Sequence, residues 1–545
     1  MSSAVTFVIM SSLSTTAGLA SQQQAASNGK KAADIDYSPV MQRLRRHFKT
    51  GKTRSLDYRR VQLRALRKML CDNIDAFVEA LRKDLGRHPQ MCLFGDLYGS
   101  VTAVDDALDH LTSWASPREK GGQLEFFGAS TRLVPQPKGV MLLVTAWNFP
   151  VDFVFNCLSQ MLAAGNCVVI KPSEVSANVE QLFVKLIPQY LDNDLVTVVT
   201  GGVAESTAVL REKFDHICFT GNGFVGRLVH QAAAKHLTPV TLELGGKGPA
   251  IVTKNADIQK AATRIVFSKF FNNGQICAAA DHVLVERSVA ARFVAAVRNV
   301  LKQYPNGPLD EKNPNYARLV HTRHWDRVAS LVDCNHGGEI ICGGTANGNR
   351  DTKFFPVTVI LNPDVNSKLM VEEIFGPVLP IITVDSVDDA IAFTNSREKP
   401  LVAYVFTQSS TEAQRVTDAV LSGTGAVNEC ALQFACEGIP FGGVGESGIG
   451  RYHGIYGFEE FSHMKPVLDR GWWPLWTDIV GFLRYPPFTQ FNTTALRAAV
   501  LYKGYAMSFI RKLAAFLRAA KNLALVYFIV VGMMVTFQEY FGKSP

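Results

Sequence analysis

HICFTGNGFVG, residues 216–226, is the stretch on which the fold turns. It opens as an apolar run of strand length ending at Thr220, and from Phe224 to about Lys235 the apolar residues continue at helical spacing. Between the two, Gly221, Gly223 and Gly226 satisfy the pattern GxGxxG, whose glycines let the backbone approach a dinucleotide pyrophosphate at a helix N-terminus. A tight strand-to-helix turn with no ligand reads the same way, and no acidic residue follows at the position a next strand would require. Outward from this stretch the alternation repeats. Strands are expected at Val168–Lys171 and Val196–Thr200 after a helix over 153–164, then at Pro249–Val252 and Val283–Glu286 with helices near 257–270, 288–303 and 323–335. Strands alternating with helices predict a parallel α/β sheet. A chain of 545 residues divides into lobes around separate cores, because single cores stop growing near about 250–300 residues. Further upstream, Leu63, Leu66, Leu70, Ile74, Phe77 and Leu81 step by three and four as one amphipathic helix capped at Gly86. Leu133–Val144 reads as strands broken by Pro135, Pro137 and Gly139.

Composition excludes several classes. The 47% of hydrophobic residues supplies ample core, and the ten cysteines show neither CxxC spacing nor a neighbouring histidine cluster, so neither a disulfide framework nor a zinc site is signalled. The net charge of +8 is spread over helices and concentrates only toward the C-terminus, without a nucleic-acid signature. Residues 1–35 are rich in Ser, Ala and Gln, fit neither a secretory signal nor a transit peptide, and are expected to be disordered.

Several short segments carry chemistry. Cys277 ends FFNNGQIC (270–277), and Glu243 lies 34 residues upstream in LELGGKGP (242–249). A thiol nucleophile and a carboxylate able to activate water are the two groups needed to make and hydrolyse a thioester. Taken singly, most buried cysteines are inert and most glutamates solvated. Asn148 in TAWNFP (145–150) is flanked by bulky Trp147, Phe149 and Pro150, so its amide suits an oxyanion donor; an asparagine in a proline turn is the ordinary alternative. Lys171 and Glu174 in KPSE end a strand where they could hydrogen-bond two ribose hydroxyls, or form a solvated loop. EEIFGPVLP (372–380) sets acids beside an aromatic and a Gly-Pro turn, as an acidic surface turn also would.

Taken together, FTGNGFVG, LELGGKGP, FFNNGQIC, EEIFGPVLP and PFGGVGESGIG, in this order and at these separations, resemble the aldehyde dehydrogenase superfamily over about residues 40–466. NSREKPLVAYVF, PFGGVGESGIGRYHG and FEEFSHMKP are similar to its class 3 branch, and LRYPP with a hydrophobic tail to the membrane-bound fatty aldehyde dehydrogenases. The resemblance implies an α/β fold with a Rossmann-like cofactor domain, an α/β catalytic domain and a small oligomerisation element. It implies Cys277 as nucleophile, Glu243 as general base and Asn148 as oxyanion-hole side chain. Lys171 and Glu174 would contact a ribose, Gly221 and Gly226 would belong to the cofactor turn, and Glu373 with Phe375 would support the nicotinamide ribose. The implied cofactor is NAD, with NADP as the alternative; the partners are an aldehyde and a second copy of the chain, and no metal is needed. Two departures stand out. Gly223 replaces a usual threonine, removing one hydroxyl near the dinucleotide, and Ala280 replaces a usual proline, loosening the loop beside the nucleophile.

The domain division expected on this basis is an arm at 1–35 and a cofactor domain at 36–245, with part of an oligomerisation hairpin near 115–137. A catalytic domain at 246–430 and a return segment at 431–470 follow, then a linker with a basic amphipathic helix at 471–521 and an anchor at 522–541. Leu523–Phe537 (LALVYFIVVGMMVTF) is uninterrupted and apolar, and the six basic residues from Arg497 to Lys521 precede it with no acidic one. Fifteen helical residues span only about 22 Å of a core of roughly 30 Å, so the segment anchors in a lipid bilayer only if Arg518 and Lys521 snorkel or the apolar part of the preceding helix sinks in; a buried core helix is the alternative. The flanking charges point to a cytosolic catalytic part, on the endoplasmic reticulum or else a peroxisome or other organelle. The substrate expected is a medium- or long-chain aliphatic aldehyde, which partitions into lipid. The same chemistry on apocarotenoid, aromatic or short aldehydes is the second reading, and an inactive membrane-tethered binding protein the third.

Overall fold

Parallel strands covered on both faces need near-continuous apolar sequence, and CVVIK at 167–171 and HICFT at 216–220 are buried at every position. The computed structural model describes residues 32–120, 129–303, 310–470, 485–498 and 500–501. Two units divide the chain, residues 1–117 with 134–465 and residues 118–133 with 466–545.

In the first unit a six-stranded sheet has the order Gly448–Ile449, Val240–Glu243, His216–Thr220, Val140–Val144, Cys167–Lys171, Val196–Val198. All its pairings are parallel except that of the short edge strand Gly448–Ile449. Register aligns the strand ends: Glu243 faces Thr220, and Val144 faces both Phe219 and Lys171. The segments LELGG, TGNG, TAWN and KPSE therefore all leave the sheet at one edge, its carboxyl end, where ligands of open α/β sheets bind.

A seven-stranded sheet in the same unit runs Glu339–Cys342, Thr358–Leu361, Val378–Val384, His282–Glu286, Pro249–Val252, Val402–Phe406, Thr424–Val427. Its core of Val252, Val283, Val285, Leu379, Tyr404 and neighbours packs under the helix Ile258–Phe270, whose C-terminus leads into the Cys277 segment. In the second unit Arg118–Lys120 pairs antiparallel with Thr131–Leu133, a hairpin within the span 115–137.

Two expectations about local structure are corrected. The single helix expected through Leu63–Leu81 is two, Leu56–Asp72 and Ile74–Leu85, parted at Asn73 (φ −125, ψ 23). Asn73 Nδ2 donates back to the Met69 carbonyl at 2.8 Å, one of the local side-chain bonds that compete with the helix ladder. Gly86 does cap the second helix, in the left-handed conformation and donating to Arg82 O. Pro135 and Pro137 do not break a strand: Ser130–Pro137 is continuous, and both prolines lie beyond the three residues paired with Arg118–Lys120, so no bond on that side is lost. Gly139 (φ +145) makes the break instead.

Ala32–Asp34 form a 3-10 turn, and the rest of the N-terminal arm, residues 1–31, lies outside the described residues. So does the expected anchor with Leu523–Phe537. Among the described residues no helix is long and apolar enough to cross a membrane.

Candidate active site

The cofactor turn explains its own glycines. A Cβ on Gly221 would lie 2.6 Å from the Phe219 ring, and one on Gly226 would lie 2.7 Å from Leu244 Cδ2. Gly221 N–H donates to Glu243 O at 3.0 Å, tying the turn to the neighbouring strand end. Asn222 caps the helix Gly223–Ala234 through its side chain, which accepts from Val225 N–H at 2.9 Å. A Cβ at Gly223 would meet only Arg227 Nη1, at 3.2 Å, the far end of a flexible side chain, so the turn itself does not demand glycine here. Two strands along the sheet the buried Lys171 ammonium donates to Pro172 O at 2.7 Å and lies 3.5 Å from Glu174 Oε2. These bare-backbone glycines, a lysine held at the strand edge and a carboxylate beside it fit the pyrophosphate and ribose of a dinucleotide.

The segment leading to Cys277 is built on left-handed backbone. Asn272 (φ 51) and Asn273 (φ 56) adopt it, as asparagine does more readily than most residues, and Gly274 (φ 72) follows. A Cβ on Gly274 would collide with the Gly376 carbonyl, so only glycine fits. Gln275 then locks the loop: its side chain donates to Asn272 O and Arg318 O, both at 3.0 Å, and accepts from Val320 N–H at 2.9 Å. Asn148 is 2% exposed and its Nδ2 donates to Gln275 O at 3.2 Å, which brings the predicted oxyanion donor to the loop of the predicted nucleophile. Downstream, Tyr404 Oη donates to Ala278 O at 2.5 Å, Ala279 N–H to Ile276 O at 3.1 Å and Asp281 N–H to Gly248 O at 2.8 Å. The loop that Ala280 was expected to loosen is thus tied down by its neighbours.

Behind the two segments lies a group that local motifs did not reveal. Arg87, 1% exposed, donates to Asn272 Oδ1 at 2.7 Å, to the Asn148 carbonyl and to Asp96, and its guanidinium sits 4.6 Å from the Phe149 ring. Asp96 accepts from Val151 and Asp152 N–H, each at 3.1 Å, at the start of the helix Pro150–Ala164. Asn272 Nδ2 completes the frame, donating to Asn148 O and Gln275 O at 3.1 Å. The one cue in the sequence was the Asn-Asn-Gly run, which calls for left-handed backbone and so for a partner to hold it.

The EEIFGP segment joins from the second sheet. Lys247 pairs with Asp281 and donates to Leu369 O at 3.1 Å and Glu372 O at 2.8 Å, while Asp281 Oδ1 accepts from Ile374 N–H at 2.9 Å. This clamp sets the Glu373 carboxylate against Gly245, where a Cβ would displace it. Phe375 takes positive φ (48), and its ring meets Trp147 edge-on at 5.5 Å, beside Asn148. His324 Nε2 donates to Phe375 O at 2.7 Å; burial first, then Arg327, pushes the imidazole down to about 3, so it stays neutral.

Burial holds the Cys277 thiol and the Glu243 carboxyl uncharged at rest and leaves Glu373 titrating near neutrality. Cys277 is half-buried as a residue, yet desolvation of the thiol, with the Glu373 and Glu243 carboxylates adding to it, pushes it up to about 12. Burial, then Cys218 and Glu460, holds Glu243 well above the usual carboxylate range; it is 3% exposed and neither carboxylate oxygen has a partner. Glu373 is pushed up to about 7 by desolvation and then Asp281, against the Gly246 N–H and Arg327. All the residues expected at the site are accordingly gathered in the first unit, on the edge of the six-stranded sheet or on loops of the second sheet.

A glycine turn and lysine at the carboxyl edge of a parallel sheet, with a cysteine loop and carboxylates brought up to it, is the layout of a dinucleotide-dependent α/β oxidoreductase. The aldehyde dehydrogenase family pattern matches residues 19–467, and the chain belongs to that family. Its relatives include rat aldehyde dehydrogenase family 3 member A2, 40% identical over 83% of this chain and 91% of that one. The dog aldehyde dehydrogenase named dimeric and NADP-preferring is 40% identical over 83% of this chain and 97% of its own. Among solved structures, the substrate-bound Staphylococcus aureus AldH superposes with a TM-score of 0.81 at 33% identity, over 85% of this chain and 99% of that one. A Mycobacterium tuberculosis aldehyde dehydrogenase complexed with NAD+ gives 0.72 at 31% identity, over 82% of this chain and 92% of that one. The protein is an aldehyde-oxidising enzyme with the α/β aldehyde dehydrogenase fold.

Proposed function

We propose that the chain oxidises medium- and long-chain aliphatic aldehydes to carboxylic acids through a thiohemiacetal and then a thioester on Cys277. The observation that carries the substrate class is the apolar ground around the nucleophile. Phe149, Phe153 and Phe271 form a cluster against which Met91, Ile276 and Phe434 pack. Phe94 and Phe267 both contact the Phe271 ring and remain 53% and 44% exposed, aromatic surface left open on the cluster against which Ile276, the residue before Cys277, packs. Exposed contiguous apolar surface marks a ligand groove, and each buried methylene contributes about 0.8 kcal/mol.

The cofactor is NAD or NADP, and the names of the dog and M. tuberculosis relatives agree with either. Lys171 and Glu174 would hold the ribose hydroxyls, Gly221 and Gly226 the close approach of the pyrophosphate, and Glu373 with Phe375 the nicotinamide ribose. When bound, the nicotinamide ring supplies the hydride acceptor. Cys277 must lose its proton before its sulfur adds to the aldehyde carbon, and its raised pKa makes that loss the step needing help. Asn148 gives one amide hydrogen to Gln275 O and keeps the second for the alkoxide, a donor of a kind worth about 2.7–4 kcal/mol. Glu243, with two unpartnered oxygens, must first give up the proton that burial favours, and as the carboxylate it takes the proton of the water that opens the thioester.

The domain division proposed is a cofactor domain at 36–245 and a catalytic domain at 246–430, in keeping with the two large sheets. A homodimer is supported by the word "dimeric" in the dog relative's name. The apolar run Leu523–Phe537 after a basic stretch supports anchoring in the endoplasmic reticulum or peroxisomal membrane with the catalytic part in the cytosol. With both dinucleotides, kcat/KM is expected to climb from butanal to hexadecanal; a preference for benzaldehyde or an apocarotenal sinks the fatty-aldehyde reading in favour of the second. Truncation after Arg470, which retains the strand Ser462–Asp469, should move the enzyme from the membrane pellet to the supernatant. If the truncated protein still pellets with membranes, the tail is not the anchor.

A further inference from the structure

Aldehyde, oxidised dinucleotide and water give carboxylate, reduced dinucleotide and two protons, so each turnover must pass protons out of a closed site. On the reading proposed above, the acyl chain would lie at the aromatic cluster and the dinucleotide at the sheet edge when the thioester is opened. A third way out is needed. The helix Pro150–Ala164 is buried along its whole length, yet Asp152, Asn156 and Gln160 recur every fourth residue as a polar stripe down one face. Its Cys157 lies 4.0 Å, sulfur to sulfur, from Cys218 on the strand next to that of Glu243. From there the stripe leads outward. Gln160 Nε2 donates to Asn156 Oδ1 at 2.7 Å, Asn156 Nδ2 to Glu437 Oε1 at 3.5 Å, and His453 N–H to Gln160 Oε1 at 3.3 Å. A Cβ on Gly454 would lie 2.6 Å from Glu437 O and 3.1 Å from Asp106 Oδ2, and Asp106 meets the exposed His110 at 2.9 Å.

Along this path the buried polar atoms are unpartnered: both oxygens of Glu243, Asp152 Oδ2, Tyr452 Oη, both ring nitrogens of His453 and Glu437 Oε2. Asp152, Tyr452 and His453 are 2%, 1% and 0% exposed. A run of such groups is costly unless it handles water or protons. We propose that the proton Glu243 takes from the hydrolytic water leaves the enzyme through Tyr452, Asp152 and Glu437 to Asp106, by way of water hydrogen-bonded to these groups. The stations suit the task. Burial pushes the Asp152 carboxyl well up, and burial, then Asp106, brings Glu437 up to about 7, so both can carry a proton near neutral pH. A Cβ on Gly457 would lie 3.2 Å from Tyr452 Cβ and collide with Gln160 Oε1, which sets Tyr452 beside the stripe, and its hydroxyl feels the charges of Glu243 and Asp152.

The inference rests on Glu243 as the base, and the test separates the two. A nitrophenyl ester acylates Cys277 of the full chain without any dinucleotide, giving a nitrophenolate burst on acylation and a steady release set by deacylation. Asp152→Asn, Tyr452→Phe and Glu437→Gln should keep the burst and lower the steady release about tenfold or more. Glu437→Gln, at a half-buried position, reads the same path if a core variant fails to fold. Steady release at the wild-type rate in Tyr452→Phe and Glu437→Gln, or a burst that falls in step with it, overturns the relay. If those variants are unchanged while Glu243→Gln is slow, the relay alone fails; if Glu243→Gln is as fast as wild type, the base assignment fails and the relay with it.

Discussion

The two halves of the site contrast in how their polar groups are partnered. Around Cys277, the side-chain amides of Asn272 and Gln275 are fully engaged, with Asn272 held by Arg87 and Asn148 donating to Gln275 O. Around Glu243, the carboxylate oxygens, Thr220 Oγ1, Asp152 Oδ2 and Tyr452 Oη are all left without partners. The first half is a frame that fixes geometry at rest, so that little has to reorganise as charge develops. The second is a set of neutral groups whose partners must arrive with water. Positioning and proton transfer are thus assigned to different sides of one cleft.

The largest effect that could break this contrast is at the nucleophile. Cys277→Ser should lower aldehyde oxidation by at least about 10⁴-fold while dinucleotide affinity, by fluorescence titration, stays near wild type. Substantial turnover would mean that the frame aims some other group. Next comes the frame itself. Arg87→Ala leaves Asp96 buried and uncompensated, a loss of about 3–5 kcal/mol in urea unfolding for such pairs, and Arg87→Lys should recover part of it without restoring the bond to Asn272. Equal stability of all three proteins would show that the network holds nothing.

The smallest effect concerns charge. Because the Glu373 carboxylate helps raise the thiol and itself titrates at about 7, Glu373→Gln should speed alkylation of Cys277 by iodoacetamide above pH 7 and change nothing near pH 5. The rise should stay within about tenfold, one pKa unit of coupling. In both proteins alkylation rises with pH, since the thiol is held far above neutrality. Slower alkylation in Glu373→Gln would reverse the sign assigned to this contact.

Much of this was legible because the signals are local. GxGxxG sits between a strand and a helix in one stretch, and Gly221 and Gly226 prove to be glycines for close-approach reasons readable from spacing alone. Asn148, Lys171 and Glu243 were found because each ends or follows an apolar run, and strand ends collect at one edge of a parallel sheet. Arg87 was not legible. It is separated from Asn272 by 185 residues, and nothing in its own neighbourhood distinguishes it from a solvated arginine after a helix cap. The stripe of Asp152, Asn156 and Gln160 was hidden for the opposite reason: polar residues every fourth position read as a solvent face, and here that face is buried. Asn73 was passed over because apolar periodicity ran straight through it.

By itself the sequence determined the α/β alternation and the family, and it marked the residues proposed to react, because hydrophobic period and glycine placement act over a few residues. Only the tertiary structure decided that Asn148, Asn272 and Gln275 share one frame with Arg87, that Glu373 rests against Gly245, and that the polar stripe of the helix Pro150–Ala164 is buried. Those depend on which distant segments the two sheets bring together, and on how far each group is removed from water once they do.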